Sequence, residues 1–205
     1  MSEPNSVPRI DPLAPPYEPE TAAMLEKWMA AAPEREPLKL FRTLARQPEV
    51  AARMGSLGVL LRDGRRVEAR EREIVIHRTT ARCGAEYEWG VHAVVYGRPL
   101  GLTEDQLAAT VVGIADDPVW SEREALLMRL ADELHDSADL TDGLWAELER
   151  HWSDDQLLEL IVLAGWYRLI SQILRAARTD LETWAPRFPV PAPDVVAGTD
   201  ENESM

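Results

Sequence analysis

The chain has 205 residues, a formal net charge of -14 at pH 7 and 45% apolar residues, with an isoelectric point near 4.7. That length and apolar content predict one domain with a substantial core. The acidic surface field repels phosphate backbones and anionic headgroups, which excludes nucleic-acid and membrane partners. A single cysteine cannot close an intrachain disulfide, and no cluster of Cys and His has the spacing of a metal site.

Pro4, Pro8, Pro12, Pro15, Pro16 and Pro19 crowd residues 1–19, which are expected to lie extended against the body or a neighbouring subunit. The same stretch has neither the basic start nor the apolar core of a secretory signal, so a cytoplasmic protein is expected. The ordered domain is predicted over residues 20–185. Leu25, Trp28 and Met29 form one helical stripe, and Leu38, Phe41, Leu44 and Ala45 form the next after the Pro33 to Pro37 break. Pro48 opens a third helix at a position where its missing N–H costs nothing. Val67 to Arg82 and Ala85 to Tyr96 then read as a helical hairpin, with Gly84 as the cap between its arms and Gly97 to Pro99 as its stop. Thr103, Ser121 and Ser153 are each followed three residues later by Gln or Glu, the signature of a capped helix start, and another helix is expected from Thr141. The longest apolar run, Leu157 to Tyr167, is interrupted by Glu159 and is shorter than the roughly 20 residues of a membrane span, so it reads as a core helix. No window alternates like a strand, so the fold class is all-α. Residues 186–205 carry four prolines and an acidic end, the composition of a disordered tail.

The hairpin concentrates the chemistry. It holds Glu73, His77, Cys83, Glu86, Glu88 and His92. Glu88 and His92 are four apart, on one helical face, and a carboxylate beside an imidazole is a proton-transfer pair. Each residue also has a structural reading. His92 sits among valines and could be a hydrogen-bonded core histidine. Glu88 could be a solvated first-turn residue, and Glu73 could pair with Arg70 or with His77 four residues on. Cys83 could be a small buried apolar residue, His135 a helix C-terminal cation and His151 a surface residue. Tyr87, Trp89 and Tyr96 fit core or subunit contact as well as substrate stacking.

Glu71 to Ile76, then Cys83 to His92, then Gly101 to Leu107 resemble the core signature of the carboxymuconolactone decarboxylase and AhpD-like alkylhydroperoxidase superfamily. The resemblance is weaker elsewhere and covers roughly residues 35 to 180. It implies an AhpD-like helical bundle of about eight or nine helices that assembles as a trimer, hexamer or related ring and works on a small-molecule substrate without a cofactor. The peroxidase branch uses a Glu, two cysteines and a His, with the His nineteen, seven and four residues after them. Counting back from His92 gives Glu73, Ala85 and Glu88. Both outer residues are present and both cysteines are gone, which resembles the decarboxylase branch more.

The expected function is therefore that of a cofactor-free acid/base lyase or isomerase on a small carboxylated or carbonyl compound. His92 would be general acid, Glu88 its partner or base, and Glu73 the orienting residue, with Tyr87 and Trp89 as candidate substrate contacts. One alternative is a single-cysteine peroxidase acting through Cys83, and another is a non-catalytic oligomer that binds a small ligand.

Overall fold

Caps and breakers divide the chain into helices close to where the sequence places them. The computed structural model describes residues 7–30, 34–62 and 66–189. It contains α1 (Pro19–Trp28), α2 (Lys39–Leu44), α3 (Pro48–Arg62), α4 (Ala69–Arg82), α5 (Glu86–His92), a π-helical turn (Ala93–Gly97), α6 (Glu104–Val112), α7 (Glu122–Ser137), α8 (Asp142–Leu148) and α9 (Asp154–Ala177). Among the described residues there is no strand. Thr103, Ser121 and Ser153 form reciprocal capping boxes with Gln106, Glu124 and Gln156, and the Thr141 hydroxyl accepts from Leu144 N–H, so each start satisfies backbone donors the helix cannot.

α4 is the centre of the molecule. Its ten residues from Glu71 to Thr80 are all buried, five of them charged or histidine. Ile74, Val75 and Ile76 join the main core with Leu127, Met128 and Leu130 of α7, Leu144 and Leu148 of α8, and Leu157, Leu160 and Leu163 of α9. The charged positions are matched across to α7. Arg70 meets Glu124, Arg78 meets Asp132 and Arg82 meets Asp136. Both sequence numbers rise together along these rungs, so α4 and α7 run in the same direction. Glu71 accepts from Arg123 and from the Trp152 indole. A buried charge survives only when paired and hydrogen-bonded, and here the α7 partners lie 52 to 54 positions away and Trp152 lies 81 away.

A second apolar cluster of Leu40, Tyr87, Val91, Ile170 and Leu174 lies beside the first. Between it and α1 and α3 is the cavity described below. α9 runs 24 residues and, by length and composition alone, is long and apolar enough to cross a bilayer. The expectation of a shorter apolar segment is corrected in this respect. Leu157, Leu160, Leu163, Tyr167, Ile170 and Leu174 bury one side of it in the core.

The proline-rich arm follows its own chain over its described part. Arg9 N–H donates to Ala177 O at 2.8 Å and Leu13 N–H to Arg42 O at 3.2 Å. Residues 1–6 lie outside the described residues. At the other end, the first residues of the segment expected as a disordered tail, 186–189, are held in place. Phe188 N–H donates to Glu86 Oε1 at 2.8 Å, and the Phe188 ring packs edge-on to Trp89 with centroids 5.4 Å apart. Residues 186–189 are therefore part of the folded body, and residues 190–205 lie outside the described residues.

Candidate active site

The α4–α5 turn positions the site. Gly84 adopts the left-handed conformation at φ 64°, Gly84 N–H donates to Ala81 O, and Ala85 N–H to Thr80 O, each at 2.8 Å. This is the Schellman closure that ends a helix and reverses the chain, and a side chain at Gly84 would also collide with the Arg175 guanidinium. The reversal lays α5 back on α4, so that Glu73 and His92, nineteen residues apart, meet. Immediately after His92 the helix widens into the π-helical turn, where Arg98 N–H reaches back to Ala93 O. Such single turns are frequent at functional sites. This one carries Tyr96 back beside the His92 ring, with centroids 4.9 Å apart.

His92 is held between two carboxylates. Its Nδ1 lies 3.0 Å from Glu73 Oε2 and 3.2 Å from Oε1, and its Nε2 lies 3.5 Å from Glu88 Oε1. Glu73, Glu88 and His92 are 5%, 6% and 6% exposed. Burial by itself disfavours the imidazolium, but the charge and hydrogen bonds of Glu73, followed by those of Glu88, outweigh it and raise His92 to about 10. His92 therefore carries a proton at neutral pH. His77 is the opposite case. It is fully buried and lowered to about 4, mainly by desolvation, which Glu73 offsets only in part. Its Nδ1 is 2.7 Å from Glu73 O. A carbonyl oxygen only accepts, so Nδ1 carries the hydrogen and Nε2 is a bare lone pair. Glu73 thus lies between a charged and a neutral histidine, with ring centroids 6.3 Å apart.

One side of this triad opens into a cavity of about 160 Å³. Glu88, His92, Tyr96 and Tyr167 line its polar end, and Leu40, Phe41, Val91, Val95, Trp28 and Trp166 line much of the rest. The Tyr167 ring is edge-on to His92 at 5.0 Å between centroids. Burial, together with the charges of Glu73 and Glu88, pushes its phenol pKa up, so it stays neutral. Trp28 rests on bare backbone at Gly55, where a Cβ would meet its indole nitrogen at 2.5 Å, and Trp166 faces Gly58, where a Cβ would meet it at 3.3 Å. Glu88 Oε2 is buried and has no hydrogen-bond partner among the described residues.

The other sequence candidates lie elsewhere. Cys83 is half-buried at the end of α4, its Sγ 3.7 Å from His135 Nδ1, outside the cavity lining. Burial pushes its thiol up, and the nearby Ser171 and arginines only partly reverse that. Tyr87 donates to Glu182 Oε1 at 2.6 Å and accepts from Leu40 N–H at 3.1 Å. It ties α5 to α2 and to the segment after α9 and does not line the cavity. Trp89 donates to Thr110 Oγ1 at 2.9 Å within the main core. Tyr87 and Trp89, expected as substrate contacts, thus lie outside the cavity lining, whereas Tyr96, Trp166 and Tyr167 belong to it. Tyr96, four residues after His92, is legible from helical spacing. Tyr167 is not, because it sits in an apolar run that reads only as core. The His135 contact with Cys83 also has no local sequence signal.

The sequence matches no protein-family model and no curated protein. Solved structures do match. An uncharacterised peroxidase-related protein from Silicibacter sp. TM1040 superposes with a TM-score of 0.76 at 16% identity, covering 92% of this chain and all (100%) of that one. The chain has the AhpD-like helical fold. A protein of unknown function from Agrobacterium tumefaciens, described as a putative antioxidant defence protein AhpD, matches with a TM-score of 0.62 at 21% identity over 68% of this chain and 94% of its own. The debrominase Bmp8 in complex with 2,3,4-tribromopyrrole matches with a TM-score of 0.69 at 14% identity over 88% and 94%. At these identities the likeness shows the fold, and the chemistry must be argued from the site.

Proposed function

We propose that this protein is a cofactor-free proton-transfer enzyme, a lyase or isomerase of the carboxymuconolactone decarboxylase kind, acting on a small carbonyl compound. The observation that carries the reading is His92 held between Glu73 and Glu88 at the wall of an apolar cavity, and the two carboxylates favour its protonated form. A proton shift beside a carbonyl and loss of carbon dioxide both pass through an enolate, so both need a base or proton store next to the carbon and a cation at the oxygen. Glu88 suits the first role and the Nε2–H of His92 the second, while Glu73 fixes the imidazole and maintains its charge. A dry, apolar wall strengthens each of these interactions. The cavity, about 160 Å³, slightly exceeds the volume, about 150 Å³, at which an engineered protein cavity accepts benzene, and the debrominase bound to a brominated pyrrole is consistent with a ring-sized ligand in this fold.

The test is exchange of carbonyl-adjacent hydrogens with solvent, followed by proton NMR in deuterium oxide over a panel of cyclic enones and ketones. The expected result is protein-dependent exchange that Cys83→Ser leaves unchanged. Exchange no faster than buffer across the panel would refute the proposal.

The contact between Cys83 and His135 supports a second reading. Here the Cys83 thiolate would take the terminal oxygen of a hydroperoxide, release the alcohol and become a sulfenic acid that an external thiol reduces. A raised thiol pKa opposes it. The rate of Cys83 alkylation by iodoacetamide is expected to rise with pH with a midpoint above that of free cysteine. A midpoint below neutrality would favour the thiol reading instead.

A further inference from the structure

We propose that the Tyr167 hydroxyl is a catalytic donor that, beside His92 Nε2–H, holds the carbonyl oxygen of the substrate, so that the occupant leads into the cavity with a hydrogen-bond acceptor. This rests on the proposed function and adds to it a residue and a constraint on the substrate. Tyr167 is 7% exposed, and it lines the cavity together with Trp166 and Ile170 of the same helix. Its main-chain carbonyl accepts from Ser171 Oγ at 2.6 Å, and its ring lies edge-on against His92. The hydroxyl itself has no hydrogen-bond partner among the described residues. Glu88 Oε2 and His77 Nε2 are also partnerless, but both are closed off from any entering molecule. The Tyr167 oxygen is not sealed in that way, and the space beside it is the cavity.

A buried O–H without an acceptor is costly. Burial and the charges of Glu73 and Glu88 keep the proton on the phenol, so the group can only be satisfied by an acceptor, and a ligand carbonyl supplies one. The same placement serves the reaction. When Glu88 takes the proton from the carbon beside the carbonyl, the C–H electron pair becomes the carbon–carbon double bond of the enolate and the carbonyl π pair moves onto oxygen. Glu88 is then neutral, Glu73 and the enolate are anionic, and His92 is the one cation among these groups. A second donor aimed at the oxygen stabilises the new charge without placing another cation in the site. The proton returns from Glu88 to carbon, and Tyr167 keeps its own throughout.

Benzaldehyde and toluene are ring-sized probes that differ in one acceptor oxygen, and neither has a hydrogen that the proposed reaction exchanges. Binding is read at pH 7 by calorimetry and by the fluorescence of Trp28, Trp166 and Trp184, which line the cavity. Tyr167→Phe removes the oxygen and keeps the ring. It should weaken benzaldehyde by about fivefold, the worth of one hydrogen bond, and leave toluene within about twofold. It should slow carbonyl-adjacent exchange in cyclic ketones by about 10²-fold. It should also unfold in no less urea than wild type, because the hydroxyl supports no other part of the fold. Equal effects on both probes, no binding of benzaldehyde by wild type, exchange at the wild-type rate in the variant, or a variant that unfolds in less urea would each overturn the proposal. If the wild-type protein exchanges none of the ketones, the proposed function fails, and the paired probes still decide whether Tyr167 holds the occupant's oxygen.

Discussion

Replacing His92 with alanine should slow the proton exchange proposed above by about 10²- to 10⁴-fold, the usual contribution of one positioned acid or base. Glu73→Gln should reach a similar loss by another route, because the imidazole stays in place and loses the charge that holds its proton. In the wild-type protein His92 is raised to about 10 and His77 lowered to about 4, which gives stability two limbs of opposite sign. The folded state binds the His92 proton more tightly than the unfolded chain, so that contribution is complete below the unfolded histidine value of about 6.5 and is lost as pH rises through about 10. His77 is bound less tightly than in the unfolded chain. Its contribution is present above about 6.5 and is lost as pH falls through about 4. Urea unfolding across pH should show both limbs, and Glu73→Gln should abolish the alkaline one. Imidazole NMR in the variant should find His92 titrating well below its wild-type position. A His92 signal that titrates near 6.5 in the wild-type protein would remove the electrostatic basis of the mechanism.

Arg78→Leu is expected to destabilise the fold by about 3 kcal/mol, the lower part of the range for removing one partner of a buried pair, equivalent to roughly 6–12 °C in Tm for a domain of this size. Arg78 is 5% exposed. It grips Asp132 with two hydrogen bonds of 2.6 and 2.9 Å and donates to the Thr110 and Gly113 carbonyls at 3.1 Å each. Removing it leaves the Asp132 carboxylate, 23% exposed, with only the Arg82 guanidinium at 3.5 Å, and two carbonyls at the end of α6 without their donors. Adding Asp132→Leu should recover part of the loss by removing a carboxylate left with one distant partner, while the Thr110 and Gly113 carbonyls stay unserved. Thermal unfolding followed by circular dichroism measures both. A single variant within about 0.5 kcal/mol of wild type, the range of an ordinary surface change, would mean the rung is ornamental.

Much of this architecture is legible locally. Capping boxes at Thr103, Ser121 and Ser153, the left-handed Gly84 and the breakers at Pro48 and Gly97 are each decided by a few neighbouring atoms, and helices start and stop accordingly. In the Glu73, Glu88 and His92 grouping, the Glu88–His92 edge is legible from i,i+4 spacing, whereas the Glu73–His92 edge is read from the family resemblance, since spacing alone leaves Glu73 open to Arg70 or His77. What is not legible depends on partners far along the chain. The pairing of Arg70, Arg78 and Arg82 with Glu124, Asp132 and Asp136 has no signal in the sequence of α4, since the matching residues on α7 are outside any local window. Tyr87 and Trp89 flank Glu88 in sequence but stand about 100° to either side of it on the helix. One is carried to Glu182 and the other into the core, and neither reaches the cavity.

The bare backbone at Gly55 and Gly58 separates two properties that many enzymes keep entangled. The groups proposed to handle the proton belong to α4 and α5, whereas the room in the cavity is set by what α3 lacks, since two indoles occupy or face the places where its side chains would be. One added methyl on α3 would alter the capacity of the chamber without touching His92 or either carboxylate. Guest size in this fold can therefore drift under selection one small substitution at a time while the reacting groups stay fixed.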